Sequence, residues 1–408
     1  MNKEIAKMLL NKYGSPLYVY DYELIKKKCL EMKNFSKLLE EKLNIKVSMH
    51  YSTKANGNPE ILKLVRETGL CVDSMSLVEL YLNELAGFKK EDILYVSNNI
   101  TQEEMDIVFE KGILMCFDSV SQVETFGENH PNSEIIVRIN PGIKGVGHSK
   151  KVITSGKATK FGISEENIPE LLEVAKKYNL RIIGVHQHLG SLFLNDKIDD
   201  YILGVKSGLE IINKYFSNLR IIDLGGGFGV PYKKEEKSLD LKILANKLIP
   251  ILEEFISKQN SISEIKFEPG RYIPCEAGSV LGLVTSVKKS SDTFWIGTDI
   301  GMNILVRPSM YDSYHDISIL NDNKKITANI CGNICESGDV LGKNRIVNFP
   351  EIGDVVKVSS AGAYGYSMSS SYTGRLKPAE IMIYKDNTTK IIRKRETWED
   401  FKKFFINR

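Results

Sequence analysis

The sequence predicts an α/β protein made of a (β/α)8 TIM-type barrel and a C-terminal all-β domain that also takes the N-terminal strand. Short, almost continuously apolar runs alternate with segments whose apolar residues recur at helical spacing. Eight such runs occur within the first two thirds of the chain. A doubly wound open sheet would show the same alternation, and the count of eight favours the barrel.

The eight candidate barrel strands are rich in β-branched residues, as expected for parallel strands buried on both faces. They are residues 46–53, 70–75, 92–98, 113–119, 134–141, 181–188, 219–227 and 264–270. Segments with helical periodicity, such as ENIPELLEVAKKYNL and LANKLIPILEEFISKQ, lie between them. We therefore predict a barrel over residues 25–280.

The pattern changes after the eighth run, where short strand-like runs are separated by turn residues. They are residues 279–290, 292–301, 324–333, 353–365 and 379–387. The N-terminal SPLYVYDY also predicts a strand, and because it precedes the barrel we expect it to pair with the C-terminal sheet. Residues 1–24 and 281–408 are thus predicted to form a sandwich-like or barrel-like β domain.

Composition excludes several function classes. The 408 residues carry a formal net charge of only +3, with both signs mixed and no basic arm, so we expect no nucleic-acid partner. The most basic stretch, KIIRKRETWEDFKKFFINR, also holds acidic and aromatic residues and predicts an amphipathic terminal segment. With no long apolar run and no signal-peptide core, we expect a cytoplasmic protein without a membrane partner. The 6 cysteines form no CxxC pair, which predicts reduced thiols and no metal site.

Polar residues stand where the predicted barrel strands end. Catalytic groups of such barrels lie at the carboxyl ends of the strands, so we expect these side chains on one rim. They are Lys54, Arg138, Asn140, His186, His188, Ser191, Asp223, Gly225, Gly226, Gly227, Gly229, Glu268 and Arg271.

Each of these residues alone has an ordinary explanation: a surface lysine, a hydrogen-bonded core histidine or a plain turn. DLGGGFG also lacks the GxGxxG spacing of a dinucleotide site. Together they are complementary. Successive glycines expose N–H groups to a phosphate, a carboxylate keeps a pyridine nitrogen protonated, and a lysine forms an imine. These are the requirements of pyridoxal 5'-phosphate, the cofactor that the sequence predicts.

With these motifs in this order, the chain resembles the fold-type III pyridoxal-phosphate decarboxylases, and among them most closely the diaminopimelate decarboxylases. The resemblance covers nearly the whole sequence. It rests on SPLYVYD, YSTKAN, INPG, TKFGI, HQHLGS, GGGFG, EPGR, RPSMYDSYH, CESGD and GAYGYSMSSSY.

The resemblance implies roles in cofactor binding. Lys54 would bond the cofactor as an internal aldimine, His188 would stack on its ring, and Glu268 would pair with its pyridine nitrogen. Further cofactor contacts are implied for Ser191, Gly226, Gly227, Pro269, Gly270, Arg271 and Tyr364.

The resemblance also implies how an amino-acid substrate binds and reacts. Its distal carboxylate would meet Arg271, Arg307 and Tyr311, and Tyr364 would line the same site. Cys335 of CESGD would donate the proton that replaces CO2. Glu336 would receive the distal ammonium. In this family Cys335 and Glu336 come from the partner subunit, which implies a homodimer with shared active sites.

The implied reaction is the decarboxylation of meso-2,6-diaminopimelate to L-lysine and CO2, a step of lysine biosynthesis. An alternative is a related amino acid of siderophore or antibiotic biosynthesis. It rests on the glycine- and lysine-rich loop 139–163 and on VDSMS, which differ from the usual family wording. A non-catalytic regulator is a third reading, opposed by the presence of both Lys54 and Cys335. CESGD argues against the racemase branch of the fold.

Overall fold

The protein divides into two compact units. The structure, a computed structural model, describes residues 1–142, 146–147, 156 and 159–405. The first unit comprises Lys26–Pro231 and Lys237–Tyr272, and the second comprises Met1–Ile25, Tyr232–Glu236 and Ile273–Arg408. Most of the loop whose composition raised the alternative substrate, residues 143–145, 148–155 and 157–158, lies outside the described residues.

The strands and helices alternate through the first unit, whereas strands dominate the second. The strands are β1 (Leu17–Asp21), β2 (Lys46–Ser52), β3 (Cys71–Ser74), β4 (Ile93–Val96), β5 (Leu114–Phe117), β6 (Glu134–Asn140), β7 (Val146–Gly147), β8 (Ile163–Ser164), β9 (Arg181–His186), β10 (Gly190–Ser191), β11 (Ile221–Asp223), β12 (Glu264–Phe267), β13 (Gly278–Ser290), β14 (Thr293–Thr298), β15 (Ile317–Ile319), β16 (Lys325–Cys331), β17 (Val340–Asn348), β18 (Val355–Val358), β19 (Ala379–Ile383) and β20 (Thr389–Arg393). The α-helices are α1 (Lys3–Tyr13), α2 (Tyr22–Leu43), α3 (Pro59–Glu67), α4 (Leu77–Leu85), α5 (Gln102–Glu110), α6 (Val120–Asn129), α7 (Ile168–Lys177), α8 (Ile198–Tyr215), α9 (Leu241–Lys258), α10 (Arg307–Tyr311) and α11 (Trp398–Lys402).

The first unit is a closed parallel barrel. Its strands follow the order β2, β3, β4, β5, β6, β9, β11, β12, and β12 pairs again with β2. All eight predicted runs contain one of these strands, and the prediction of a TIM-type barrel is confirmed. Because every strand is parallel, all eight carboxyl ends lie on one rim.

The barrel core is apolar on one side and polar on the other. A cluster of buried apolar residues from β4, β5, β6, β9 and β11 fills one side: Leu94, Val96, Cys116, Ile136, Ile183 and Ile221. On β2 and β12 a buried polar network replaces it. The Lys266 ammonium lies 2.9 Å from His50 Nε2 and 2.9 Å from Glu264 Oε1, and Ser48 Oγ donates to the same Glu264 oxygen at 2.7 Å.

Helix starts in the barrel follow from local sequence. Asn58 accepts a hydrogen bond from the Glu60 N–H, and Pro59 occupies the first helical position of α3. Ser76, Thr101 and Ser119 cap α4, α5 and α6 in the same way. These caps begin each helix just after a strand end, which keeps the connecting loops on the catalytic rim short.

The second unit is built on a mixed sheet. Its main path is β17-β16-β14-β13-β1-β19-β20, and β18 pairs with β13 and β15. The N-terminal β1 lies between β13, to which it is antiparallel, and β19, to which it is parallel. The expected pairing of the N-terminal strand with the C-terminal sheet is therefore confirmed.

Three strands of this sheet, β15, β17 and β20, were not predicted. The basic C-terminal stretch, expected to be amphipathic, begins as the edge strand β20 before the short helix α11. In the described part of the chain, none of the helices is long and apolar enough to cross a membrane.

Candidate active site

The predicted polar strand ends of the barrel meet on its carboxyl rim. Lys54 lies in a 3-10 turn, Thr53–Ala55, that directly follows β2. His186 and Asp223 are the last residues of β9 and β11, and Glu268 follows β12. One ligand-type atom from each of the last three lies within 4.8 Å of the others, and all three side chains are buried. The rim therefore concentrates ionisable groups in a poorly solvated place.

Glu268 is the ionised carboxylate of this group. Burial opposes its ionisation, but the hydrogen bond with His186 Nε2 at 3.2 Å and the nearby Lys54 ammonium outweigh it and keep the pKa of Glu268 below its ordinary value. Its second oxygen, Oε1, is buried and accepts no hydrogen bond from any described residue. Glu268 thus presents a buried negative charge with one oxygen available to a ligand.

Two further carboxyl groups of the rim behave in the opposite way. Burial, together with the negative charge of Glu268, raises the pKa of Asp73 and that of Asp223 well above the ordinary value. Ser52 Oγ donates to Asp73 at 2.7 Å, and the Gly225 N–H donates to Asp223 at 2.8 Å. The site therefore favours ionisation of Glu268 over ionisation of the two aspartates, which limits the like-charge repulsion.

His188 is held neutral in one tautomer. Burial, reinforced by the cations of Arg138 and Lys54, lowers the pKa of His188 well below its ordinary value. The Gly226 N–H donates to His188 Nδ1 at 3.1 Å, so this nitrogen acts as an acceptor. An imidazole fixed in this way offers an uncharged, oriented face, as stacking on a cofactor ring requires.

The glycine run forms a cradle that larger residues would fill. A Cβ at Gly226 would lie 2.0 Å from the Glu268 carbonyl oxygen, and a Cβ at Gly225 would lie 2.4 Å from that of Gln187. Gly225 and Gly227 also have positive φ angles of 67° and 102°. Only glycine combines this backbone with so close an approach, and it leaves backbone N–H groups uncovered for an anion.

Ser191 and Arg271 meet in the same unit. Ser191 ends β10, and the Arg271 guanidinium donates to its hydroxyl at 3.2 Å. Arg271 is buried, so its charge is poorly screened. A hydroxyl paired with a guanidinium is a suitable partner for a phosphate or a carboxylate. The structure also places Pro269 and Gly270 between Glu268 and Arg271, in buried positions.

These residues fit pyridoxal phosphate. The cradle suits a phosphate, the free oxygen of Glu268 suits a ring N–H, and Lys54 supplies an amine. His186, Asp223 and Glu268 could also approach a metal ion by distance alone. A metal, however, would give no role to the glycines or to Lys54.

The second unit carries the remaining predicted residues. Arg307 begins α10 and donates to Ser313 Oγ at 3.2 Å. Its guanidinium carbon lies 5.8 Å, 5.7 Å and 5.9 Å from the ring centres of Tyr232, Tyr311 and Tyr364. The Arg307 side chain is only 2% exposed, which disfavours its charge, but the neighbouring aromatic rings stabilise the cation. The structure thus places Arg307 close to two other predicted residues, Tyr311 and Tyr364.

Cys335 and Glu336 lie on the exposed loop between β16 and β17. The Tyr372 hydroxyl donates to the Glu336 carboxylate. Tyr372 was not singled out from the sequence, and its place at the end of the GAYGYSMSSSY motif was the available signal. The loop therefore presents a thiol and a carboxylate side by side to the outside of its own unit.

Comparison with known proteins identifies the family. The family described as "Pyridoxal-dependent decarboxylase, pyridoxal binding domain" matches residues 25–275. The diaminopimelate decarboxylase of Methanothermobacter thermautotrophicus is 34% identical, and the match covers 97% of this chain and 92% of that protein. That of Aquifex aeolicus is also 34% identical, over 96% and 92%. The chain belongs to the diaminopimelate decarboxylase family.

Solved structures agree with this placement. The diaminopimelate decarboxylase of M. jannaschii in co-complex with L-lysine superposes with a TM-score of 0.88 at 31% identity, covering 99% of this chain and 94% of that chain. Membership in the diaminopimelate decarboxylase family makes the chain a pyridoxal-phosphate-dependent carboxy-lyase, as the motifs predicted. The predicted roles of individual residues stay predictions.

Sequence reasoning missed two carboxyl groups of the rim, Asp73 and Asp118. Both follow the strand-end pattern that selected Lys54 and Glu268, because Asp73 is the second-to-last residue of β3 and Asp118 directly follows β5. Asp118 accepts a hydrogen bond from Asn98, and burial raises the pKa of its carboxyl group although the cation of Arg138 opposes this shift. The position of each aspartate at a strand end was the signal that could have identified it. Both were missed because neither lies in a motif that was recognised from the sequence.

Proposed function

We propose that this chain decarboxylates meso-2,6-diaminopimelate to L-lysine and CO2 with pyridoxal 5'-phosphate as its cofactor. The observation that carries the proposal is the group of strand-end side chains around the ionised Glu268, in a chain that matches diaminopimelate decarboxylases over nearly its whole length. Other members of the family were solved with L-lysine, the product of this reaction, bound to them.

The barrel residues would hold the cofactor. Lys54 offers the amine that attaches it, and the glycine cradle with Ser191 and Arg271 would bind its phosphate. Glu268 would accept a hydrogen bond from the pyridine nitrogen and keep it protonated. Bound pyridoxal phosphate supplies the electron sink that makes loss of CO2 from an amino acid feasible.

Diaminopimelate differs from simpler amino acids by a second amino-acid centre, and its recognition needs a cation and an anion. Arg307, with Arg271 and Tyr311, would bind the distal carboxylate, and Glu336 would bind the distal ammonium. Sites built on such charged hydrogen bonds strongly reject analogues that lack the polar group. We therefore expect discrimination against ornithine, which has no distal carboxylate.

Cys335 would protonate the carbon that loses CO2. A thiol can act as a general acid when it lies beside the reacting carbon. We further propose that Cys335 and Glu336 act in the barrel of a second copy of the chain. The active protein would then be a homodimer with shared sites. A cytoplasmic location stays a prediction from the sequence.

The activity is tested with purified chain, pyridoxal phosphate and a panel of amino acids, with lysine and CO2 as readouts. We expect turnover of meso-diaminopimelate and little turnover of ornithine or arginine. The cofactor absorbance of the wild type should be lost in Lys54→Ala. No lysine from meso-diaminopimelate, or faster turnover of another panel member, would reject the proposal and favour the alternative substrate.

Shared sites are tested by mixing two inactive variants, Lys54→Ala and Cys335→Ala. If each site takes Lys54 from one chain and Cys335 from the other, half of the dimers are mixed and each carries one intact site. Mixing should then restore about a quarter of the wild-type activity. A mixture that stays inactive, although it exchanges subunits, would show that both residues act within one chain.

A further inference from the structure

The loop that carries Cys335 and Glu336 ends at a buried residue, Asp339, which is the last residue of the CESGD motif. The loop spans residues 332–339 between β16 and β17. Asp339 is 3% exposed, whereas Cys335 is exposed. The two ends of the CESGD motif therefore have opposite environments: the thiol faces outward and the aspartate is part of the core of the second unit.

Both oxygens of Asp339 accept backbone hydrogen bonds. Oδ2 accepts from the N–H of Ile334, the residue directly before Cys335, at 2.7 Å. Oδ1 accepts from the N–H of Met302, in the segment that follows β14, at 2.6 Å. A single carboxylate thus ties the Cys335 loop to a neighbouring segment. Hydrogen bonds to a carboxylate are among the stronger ones in proteins, so this tie is hard to replace by a neutral group.

Close packing supports the same arrangement. A Cβ at Gly332 would lie 2.4 Å from Asp339 Oδ2 and 2.5 Å from the Gly301 Cα, so these backbones are in direct contact around the carboxylate. The Asp339 N–H also donates to the Glu336 carbonyl at 3.0 Å, which closes the turn through Cys335. These contacts restrain both ends of the loop, Gly332 and Asp339, while the carboxylate keeps its bonds.

We propose that Asp339 is a positioning residue that fixes the loop bearing the Cys335 thiol through paired backbone hydrogen bonds. The inference rests on the proposed function, in which Cys335 donates the proton. Asp339 itself does not reach the substrate in this scheme; it acts through the backbone on either side of the thiol. A proton donor displaced by about 1 Å can lose roughly a hundredfold in rate, so such a clamp bears directly on turnover.

The test is the Asp339→Asn holoenzyme. An amide keeps one acceptor and places an NH2 group opposite the second N–H, so one of the two bonds is lost. We expect kcat on meso-diaminopimelate to fall by roughly ten- to a hundredfold with KM within about threefold, because the barrel side of the site is untouched. The rate of Cys335 alkylation by iodoacetamide, followed by mass spectrometry, should change by at least about threefold.

Asp354→Asn is the matched control. Asp354 is also buried in the second unit, and its Oδ2 accepts hydrogen bonds from the Glu351 N–H at 2.9 Å and from Asn321 Nδ2 at 2.7 Å. It therefore clamps a different loop with similar bonds. This variant should keep kcat and Cys335 alkylation within about twofold of wild type, whatever its effect on melting temperature. Equal effects of the two variants would overturn the proposal and leave only a general role in stability.

A measurement on the unmodified protein does not depend on the folding of any variant. Because the N–H groups of Ile334 and Met302 donate to a buried carboxylate, peptides covering them should be protected from hydrogen exchange. Exchange at the rate of exposed loop amides, or wild-type kcat and alkylation in Asp339→Asn, would overturn the proposal. If Cys335→Ala keeps wild-type turnover, the proton-donor role fails instead, while exchange and alkylation still report on the clamp.

Discussion

Replacing Glu268 by Gln tests the electrostatic core of the site. The substitution keeps the size of the side chain but removes the carboxylate whose pKa is held low, whereas burial raises the pKa of Asp73 and that of Asp223. His186 Nδ1 has no hydrogen-bond partner among the described residues, so its tautomer can change and Nε2 can accept a hydrogen bond from the new amide. We therefore expect the fold to tolerate the change while the pyridine nitrogen of the cofactor loses its anionic partner.

The size of the effect follows from the environment of Glu268. The side chain is 3% exposed, so water cannot compensate for the missing charge. A buried hydrogen bond to a charged group contributes about 1.5–3 kcal/mol. At about 1.4 kcal/mol for each factor of ten, kcat/KM should fall by roughly 10- to 150-fold. The assay is steady-state release of lysine from meso-diaminopimelate at saturating cofactor.

Glu380→Gln is the control for burying an amide in place of a carboxylate. Glu380 is fully buried in the second unit, where it binds Tyr20 at 2.6 Å and pairs with Arg393. This variant should lower the melting temperature but leave kcat/KM per folded enzyme within about twofold. If Glu268→Gln also keeps kcat/KM within about twofold, the assignment of Glu268 to the pyridine nitrogen is wrong.

Three other predictions follow from single contacts. Tyr372→Phe should raise KM for meso-diaminopimelate about three- to tenfold with little change in kcat, because Glu336 loses the hydroxyl that orients it; an unchanged KM would contradict this. Gly226→Ala should weaken cofactor binding, measured by fluorescence titration, because its Cβ would lie 2.0 Å from a backbone oxygen and displace the cradle; wild-type cofactor affinity would be the contrary result. Burial and the Lys266 cation hold the pKa of His50 at about 3. In the unfolded chain the histidine pKa is about 6.5, so between about pH 6.5 and about pH 3 the unfolded chain binds more protons than the folded protein. As the pH drops through this range, the free energy of unfolding should fall by about 1 kcal/mol per pH unit. Urea unfolding of His50→Asn should show a shallower acid limb, and an unchanged limb would rule out this histidine as the cause.

The barrel and its rim could be predicted because both follow from periodicity and position. Runs such as 46–53 and 264–270 contain strands that begin within a residue or two of the predicted limits. Parallel strands bring their carboxyl ends together, so Lys54 and Glu268 could be placed on one rim although 214 positions separate them in the sequence (268 minus 54). No long-range contact had to be known to make that step.

The β unit was predicted less completely, for a different reason. β17 (VLGKNRIVN) contains a glycine, two charged residues and two asparagines, so its apolar pattern is weak, and β15 has only three residues. Both are strands because they pair with β16 and β18, which sequence periodicity does not reveal. β20 did leave a signal: Asn387 has a positive φ of 60° in the turn after β19, and asparagine in such a turn indicates a hairpin.

The charge states of the rim side chains could not be predicted from sequence either, because they depend on which hydrogen-bond partners each buried polar group has in the folded chain. In the lower barrel, Glu264 accepts from Ser48 and Lys266, and both ring nitrogens of His50 have partners. That network is closed and needs no ligand. The rim is different, since several buried polar atoms there have no hydrogen-bond partner within the described ranges, among them Asp73 Oδ1, Arg138 Nη2, His186 Nδ1, Asp223 Oδ2 and Glu268 Oε1.

This contrast separates a structural polar core from a binding site on physical grounds. Leaving a buried polar atom unsatisfied costs about 1–3 kcal/mol, so several of them on one rim favour the binding of a ligand that supplies partners. A pyridine ring with one N–H donor would satisfy Glu268 Oε1. The Glu268 oxygen without a protein partner is therefore a source of cofactor affinity. Variants that satisfy these atoms internally should stabilise the chain without cofactor and weaken cofactor binding.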